Sequence, residues 1–144
     1  MFSKTTEYAL RAAIYIAQEG SENNKISIVA IAKAIDSPQS FTAKILQLLT
    51  RDSKVISSVP GPNGGFYMTE AAKQLPVYSI LVATGEDITL NKCVLGLDKC
   101  SESKPCPMHP RYKSIKKQLL QLFETETIGK LATDAKLGSV FIKN

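Results

Sequence analysis

Three cysteines and the only histidine of the chain fall within one short segment: Cys93, Cys100, Cys106 and His109, spaced C-x6-C-x5-C-x2-H. Thiolates and an imidazole in one loop can close a four-coordinate metal site or hold an iron–sulfur cluster. Structural zinc sites are usually built from close pairs such as C-x2-C. Here only Cys106 and His109 are close, and the wide gaps suit a loop wrapped around a larger group. A thiol switch is the rival chemistry. Lys92, Lys99 and Lys104 stand near the cysteines, favour thiolate, and would make reversible disulfide formation accessible. Zinc, cluster and thiol readings all stay open at this point. An odd number of clustered cysteines fits a metal or redox site better than a disulfide scaffold.

The same segment is the most basic in the chain. Residues 92–117 carry seven Lys/Arg against two Asp/Glu, whereas residues 1–60 carry seven against five. The net charge of +5 agrees with an anionic partner but does not require one. With 144 residues, 44% of them hydrophobic, the chain can bury a real core. The first 20 residues lack the features of a signal peptide, and no apolar run is long enough to span a membrane, so the expected location is the cytoplasm. Catalysis finds no support: one histidine cannot assemble a Ser/His/Asp set, and no phosphate-cradling glycine motif precedes a helix. A Cys106–His109 nucleophile pair would have nothing in the sequence to orient its histidine.

Several elements must position this loop. Residues 5–18 show helical spacing through Tyr8, Ala12, Tyr15 and Ile16. Ser27 is placed to cap a short helix burying Ile28, Ile31, Ala32 and Ile35. Ser37 and Pro38 then suit the cap and first position of a third helix reaching Arg51. Its buried face is expected to carry Phe41, Ile45, Leu48 and Leu49, leaving Leu46 unassigned. Two short helices around a tight turn form a helix-turn-helix pattern, which generic helical corners share. Residues 55–59 alternate as a strand and residues 66–68 as its return. Asn63-Gly64 suits the positive φ values of a hairpin tip. Such a hairpin is a wing able to lie against phosphates, or else a cap on the core.

Residues 69–75 read as a short helical connection and residues 76–83 as a helix stopped by Gly85. Residues 86–110 have no periodicity. From Tyr112 a long helix carries Tyr112, Ile115, Leu119, Leu122 and Phe123 on one stripe, which needs a partner surface: a second subunit, or the chain's own domain. Thr127 caps residues 128–132, and the tail from 136 is irregular. The expected fold is mostly α with a small β-hairpin wing. Residues 1–75 form a winged helix-turn-helix domain, and residues 76–144 a cysteine-loop sensor with a long C-terminal dimerisation helix.

Four segments in order carry a family resemblance: Thr-Glu-Tyr-Ala-Leu-Arg-Ala (6–12), the helix pair (27–51), Ser-Ser-Val-Pro-Gly-Pro-Asn-Gly-Gly-Phe (57–66), and Cys-Pro-Met-His (106–109) before a long helix. Over essentially its full length the chain resembles the IscR/NsrR/CymR-like winged-helix transcription regulators, the Rrf2 family. The resemblance implies a homodimer, most simply a repressor, that sets two recognition helices in successive major grooves of a double-stranded DNA operator. In IscR-like members three cysteines and a following histidine ligate a [2Fe–2S] cluster. They match Cys93, Cys100, Cys106 and His109, with the first interval one residue longer than in those members. In NsrR-like members an acidic residue of the first helix, from the other subunit, completes the site, and Glu7 holds that position. CymR-like members lack a cluster and respond to a partner protein. The implied cofactor is thus [2Fe–2S] rather than [4Fe–4S], absent from some aerobic preparations. A cluster-free regulator or interaction module under thiol or partner-protein control is the alternative.

On the DNA side the family's contact positions match Pro38, Gln39, Ser40, Ala43 and Lys44, with Ser37 preceding them and Asn63 and Gly64 at the wing tip. Gln39 can pair with adenine, and Lys44 and Arg51 can neutralise phosphates. Pro60 stands where IscR-like wings carry an arginine, so the operator is expected to differ from theirs.

Overall fold

A computed structural model describes residues 1–51 and 55–144. The first helix, α1 (Lys4–Glu19), begins where the Ser3 hydroxyl accepts from the Thr6 N–H at 3.2 Å. Caps of this kind recur at Ser27, Thr69 and Thr127, each satisfying an orphan donor and each contributing about 1 kcal/mol. The buried stripe of α1 is Ala9, Ala12, Ala13 and Ile16, all without solvent exposure. Tyr8 and Tyr15, expected on that stripe, lie half-buried at its edge. Three alanines let the neighbouring helices come close, so the flat side of α1 is the centre of the core.

Against α1 pack α2 (Ile28–Ala34), α3 (Gln39–Thr50), α5 (Tyr78–Thr84) and α7 (Ile128–Lys136). The turn between α2 and α3 is a tight left-handed stop. Asp36 takes φ 54°, and Ser37 N–H donates back to the Ala32 carbonyl at 3.0 Å. The expected cap is displaced by one residue: Pro38 occupies the cap position of α3, Gln39 is its first helical residue, and no side chain caps it. Ser37 Oγ instead donates to the Pro38 carbonyl at 3.4 Å. The buried residues of α3 are Thr42, Ile45, Leu46 and Leu49, while Phe41 and Leu48 are half-buried. Leu46 is therefore a core residue. Phe41 packs edge-on to Tyr8, ring centroids 5.7 Å apart.

The hairpin is shorter than its alternation suggests: β1 (Ser57–Val59) pairs antiparallel with β2 (Gly65–Tyr67), Ser58 opposite Phe66. Ile26 extends this sheet by exchanging two 2.8 Å hydrogen bonds with Phe66, tying the hairpin to the start of α2. The tip differs from the expected Asn63-Gly64 turn. Gly64 N–H donates to the Gly61 carbonyl at 3.0 Å, placing Pro62 and Asn63 at the turn's centre, and the positive φ values fall on Gly61 and Gly65. Pro62 presets φ for that turn, which removes the need for a left-handed asparagine. Gly64 is required for another reason, since a Cβ there would collide with the Val59 carbonyl oxygen.

A short α4 (Glu70–Lys73) leads into α5, which stops at Gly85 with φ 76°. A 3-10 turn, Asp87–Asn91, opens the long loop. The last long helix, α6 (His109–Thr125), starts three residues earlier than its apolar stripe, with Pro110 in its first turn. α7 runs four residues beyond its expected end, and the tail after it is irregular. Ile128 and Ala132 of α7 join Ile80 of α5, and Val77 just before it, in the same core as α1–α3. A bridge between Pro76 and Thr127 aligns the starts of α5 and α7.

Replacing Leu46 by Ala is expected to lower folding stability by about 2–5 kcal/mol through loss of buried surface and the cavity left behind. Chemical denaturation of wild type and variant, compared at equal m-value, measures it.

Candidate cysteine–histidine site and nucleic-acid interface

The loop after the 3-10 turn brings the four candidate ligands together in two pairs. Cys93 and Cys106 are both nearly buried, and the Cys106 side chain is among the groups that lower the pKa of the Cys93 thiol. The backbone N–H groups of Leu97 and Leu95 point at the Cys93 sulfur and hold its thiol below the usual value, against the upward push of burial. The second pair is Cys100 and His109, with Cys100 Sγ 3.4 Å from His109 Nδ1. A single turn joins the pairs: His109 N–H donates to the Cys106 carbonyl at 3.0 Å as α6 begins. All three cysteines are free. Among the described residues no three His, Cys, Asp or Glu side chains converge on a point that could hold one metal ion.

His109 is therefore a helical residue, 8% exposed, at the head of α6 rather than a loop residue. Its Nε2 lies 3.4 Å from Glu102 Oε1, within ion-pair range but off the line of a hydrogen bond. Glu102 in turn forms an ion pair with Lys113. The Lys113 ammonium first, and the His109 ring after it, keep the Glu102 carboxyl below the ordinary carboxylate range. Sequence reasoning missed Glu102 and Lys113. The i, i+4 spacing of His109 and Lys113 is the available signal, hidden by an apolar stripe that begins only at Tyr112. Glu7 lies on α1 with its carboxylate 3.3 Å from Lys4 Nζ, and it is not gathered with the cysteines of its own chain.

The base of the loop is stitched to the opening of α1. Glu86 accepts from the Ser3 N–H at 2.8 Å and from the Thr89 hydroxyl at 2.6 Å, which lowers its pKa to about 2. Next to it, the fully buried Thr6 hydroxyl donates to Thr84 Oγ1 at 2.9 Å. On the far side, Lys116 Nζ of α6 donates to the Asn91 carbonyl at 3.1 Å. The apolar stripe of α6 is only partly covered within the chain. Ile115 and Leu122 are more than half exposed, while Phe123 is half-buried against the core and meets Phe2 edge-on at 5.5 Å.

On α3, the first residues turn outward. Gln39, Ser40 and Lys44 are exposed, as is Arg51 at its far end, while Ser37 is half-buried in the turn. Asn63 is exposed at the hairpin tip and Gly64 is half-buried beneath it. A helix N-terminus that exposes polar side chains is the kind of surface that can present donors to phosphates and base edges. No helix among the described residues is long and apolar enough to cross a membrane.

This helix-turn-helix with its hairpin, and the α6 stripe beyond it, define the winged-helix transcription regulators. Comparison with known proteins places the chain further. Residues 2–134 match the model of the Rrf2 family, described as iron-dependent transcriptional regulators, and the chain belongs to that family. A protein of Aquifex aeolicus named as an HTH-type transcriptional regulator is 32% identical over 130 residues, covering 89% of this chain and 88% of that protein. The HTH-type transcriptional regulator IscR of Vibrio parahaemolyticus is 24% identical over 127 residues, covering 88% and 74%. Among solved structures, CymR, the global cysteine regulator of B. subtilis, superposes with a TM-score of 0.73 at 15% identity, covering 93% and 97% of the two chains. T. potens IscR superposes at 0.71 and 16% identity, covering 97% and 91%. These relatives are transcription regulators, not enzymes.

The hydrogen bonds to Glu86 make stability depend on pH. Its folded pKa of about 2 lies below the ordinary 4.5, so its contribution to stability is complete above 4.5 and is lost as pH falls towards 2. Glu86→Gln should flatten the fall in stability across that window. Urea melts of both proteins at stepped acidic pH measure the difference.

Proposed function

We propose that this transcription regulator works as a homodimer, most simply a repressor, whose operator affinity follows the state of Cys93, Cys100, Cys106 and His109. The observation that carries this reading is the gathering of three free cysteines and the one histidine into two pairs joined by the first turn of α6. Two pairs of donors suit a two-iron cluster, each iron taking two protein ligands beside the bridging sulfides. They suit a single tetrahedral zinc ion less well, because that needs all four around one point. Cys93, Cys100 and Cys106 would hold such a cluster, with His109 or the partner subunit's carboxylate at Glu7 as the fourth ligand. When bound, the cluster supplies a group whose presence and oxidation state can change with iron, oxidant or nitric oxide.

The rest is done by the chain. Residues 86–108 connect α5, packed in the DNA-binding core, to α6, whose apolar stripe is left partly exposed at Ile115 and Leu122. Holding that loop in one arrangement sets the angle of α6, and through a two-fold α6 contact it sets the spacing of the two α3 helices. Full reversal of such an equilibrium takes a differential affinity of about 5.5 kcal/mol. A second reading rests on Cys93: backbone N–H groups favour its thiolate, and the Cys106 thiol is beside it. That pair could answer an oxidant as a cluster-free switch, matching the fold shared with CymR.

Anaerobic purification with iron and sulfide analysis separates the two readings. The expected protein is coloured, and Cys93→Ala, Cys100→Ala or Cys106→Ala each abolishes the chromophore. A colourless chain that cannot be reconstituted leaves the thiol reading. For DNA, Lys44→Ala should weaken binding to all sequences and reduce the salt slope by about 1. Gln39→Ala should instead relax discrimination at one base pair by about 1–3 kcal/mol. Equal, weak binding of promoter and random DNA at moderate salt would sink the interface assigned to α3.

A further inference from the structure

We propose that Glu102, clamped by Lys113, is a positioning residue that fixes the single histidine with its proton on Nε2 and its Nδ1 lone pair turned to Cys100. The importance of this contact for iron rests on the proposed function, in which His109 is a ligand. The contact itself rests on geometry.

A neutral imidazole carries one proton, and the partner of one ring nitrogen decides the role of the other. His109 Nδ1 faces Cys100 Sγ at 3.4 Å. Nε2 is shut away from water, makes no hydrogen bond, and has a carboxylate oxygen 3.4 Å away. Leaving a buried donor unpaired is costly, and a small rotation of the Glu102 carboxylate would complete Nε2–H···Oε1. The carboxylate is held for this task from two sides. Ser101 Oγ accepts from the N–H groups of Ser103 and Lys104, both at 3.2 Å, which folds residues 101–104 into a tight turn. Lys113 lies one turn along α6 from His109 and grips the same oxygen, Oε1. The cleft beside them, about 230 Å³, is also lined by Lys116 and Lys117, so Glu102 is the one acid facing three lysines there. Its negative charge next to the ring makes Nε2 the protonated nitrogen, and the unprotonated Nδ1 is left on the side of the thiol. An imidazole can donate to a metal only through a nitrogen free of its proton.

Because the chain has one histidine, ¹⁵N-histidine labelling of the full-length, reduced, metal-free protein reports a single imidazole. Spectra of the neutral ring should show the Nε2–H tautomer in wild type. Glu102→Gln keeps an oxygen in place and should keep that tautomer. Glu102→Ala should move the tautomer ratio about fivefold towards Nδ1–H, the equivalent of one ordinary hydrogen bond. An Nδ1–H tautomer in wild type, or a Glu102→Ala spectrum identical to wild type, overturns the proposal. Glu102 is exposed, and circular dichroism checks that both variants fold. In protein reconstituted with iron and sulfide, Glu102→Ala and His109→Ala should both lose iron to a chelator about tenfold or more faster than wild type. If His109→Ala holds its iron normally while the tautomer still answers to Glu102, ligation by His109 is wrong and the positioning contact stands. If His109→Ala loses iron and Glu102→Ala does not, the positioning role is wrong and ligation stands.

Discussion

The flat, alanine-lined face of α1 is the constraint on which the rest of the molecule depends. Ala9, Ala12 and Ala13 put no side chain beyond a methyl between α1 and its neighbours, and Ile16 is fully buried beside them. Interiors pack at the density of organic crystals, so a larger side chain at any of these positions must push a neighbouring helix outward. The helices in question are α3, the proposed DNA-reading helix, α5, which leads to the cysteine loop, and α7, which follows α6. The helix-turn-helix and the helices on either side of the cysteine loop and α6 are thus referred to one helix. A displacement at α5 has a rigid path to α3 through that face.

The cysteine segment is built differently. It contributes Leu90, Cys93, Cys106 and His109 to the interior, and much of its remaining surface is exposed, including Val94, Leu95 and Leu97. Its order comes from polar contacts at its ends: Glu86 and Thr84 onto the start of α1, Lys116 onto Asn91, and Glu102 onto Lys113. Apart from the buried Thr6–Thr84 bond, these contacts lie at the surface, where each is worth little and is sensitive to charge and salt. A segment with a small core and polar ties is the kind that a bound group or a covalent bond can rearrange at modest cost. The alanine face could not serve that purpose, and the loop could not serve as a scaffold.

Much of the helical layout is legible in the amino-acid sequence. The caps at Ser27 and Thr127, the stop at Gly85, the helix pair and the hairpin all follow from local chemistry: a hydroxyl finds the N–H three residues on, and a glycine takes a left-handed φ. What misleads is equally local. Leu46 and Thr42 escape a single-stripe reading because α3 buries a wider face, and which residues count as buried depends on α1, α2 and α5 together. The hairpin tip follows Pro62 and two flanking glycines rather than the Asn-Gly pair, since Gly64 is required by its closeness to the Val59 carbonyl. The apolar stripe places the start of α6 too late because the first turn of that helix is not apolar. His109, Pro110 and Arg111 carry no stripe, and the helix there is held by the cysteine turn.

For the site, the sequence by itself determined the inventory: three thiols, one imidazole, many lysines, and a position between a helix-turn-helix pattern with a hairpin and a long helix with an apolar stripe. Composition and spacing suffice for that, because ligating chemistry belongs to residue types and the wing belongs to short-range turn chemistry. Only the tertiary structure decided the pairing, Cys93 with Cys106 and Cys100 with His109, and only it brought Glu102 to the far side of the imidazole. Residues 93–108 carry no periodic signal, so nothing local sets their relative placement. The physical reason is that a loop takes its shape from whatever its two ends are fastened to. Here the ends are α5, fixed by the α1 core, and the first turn of α6.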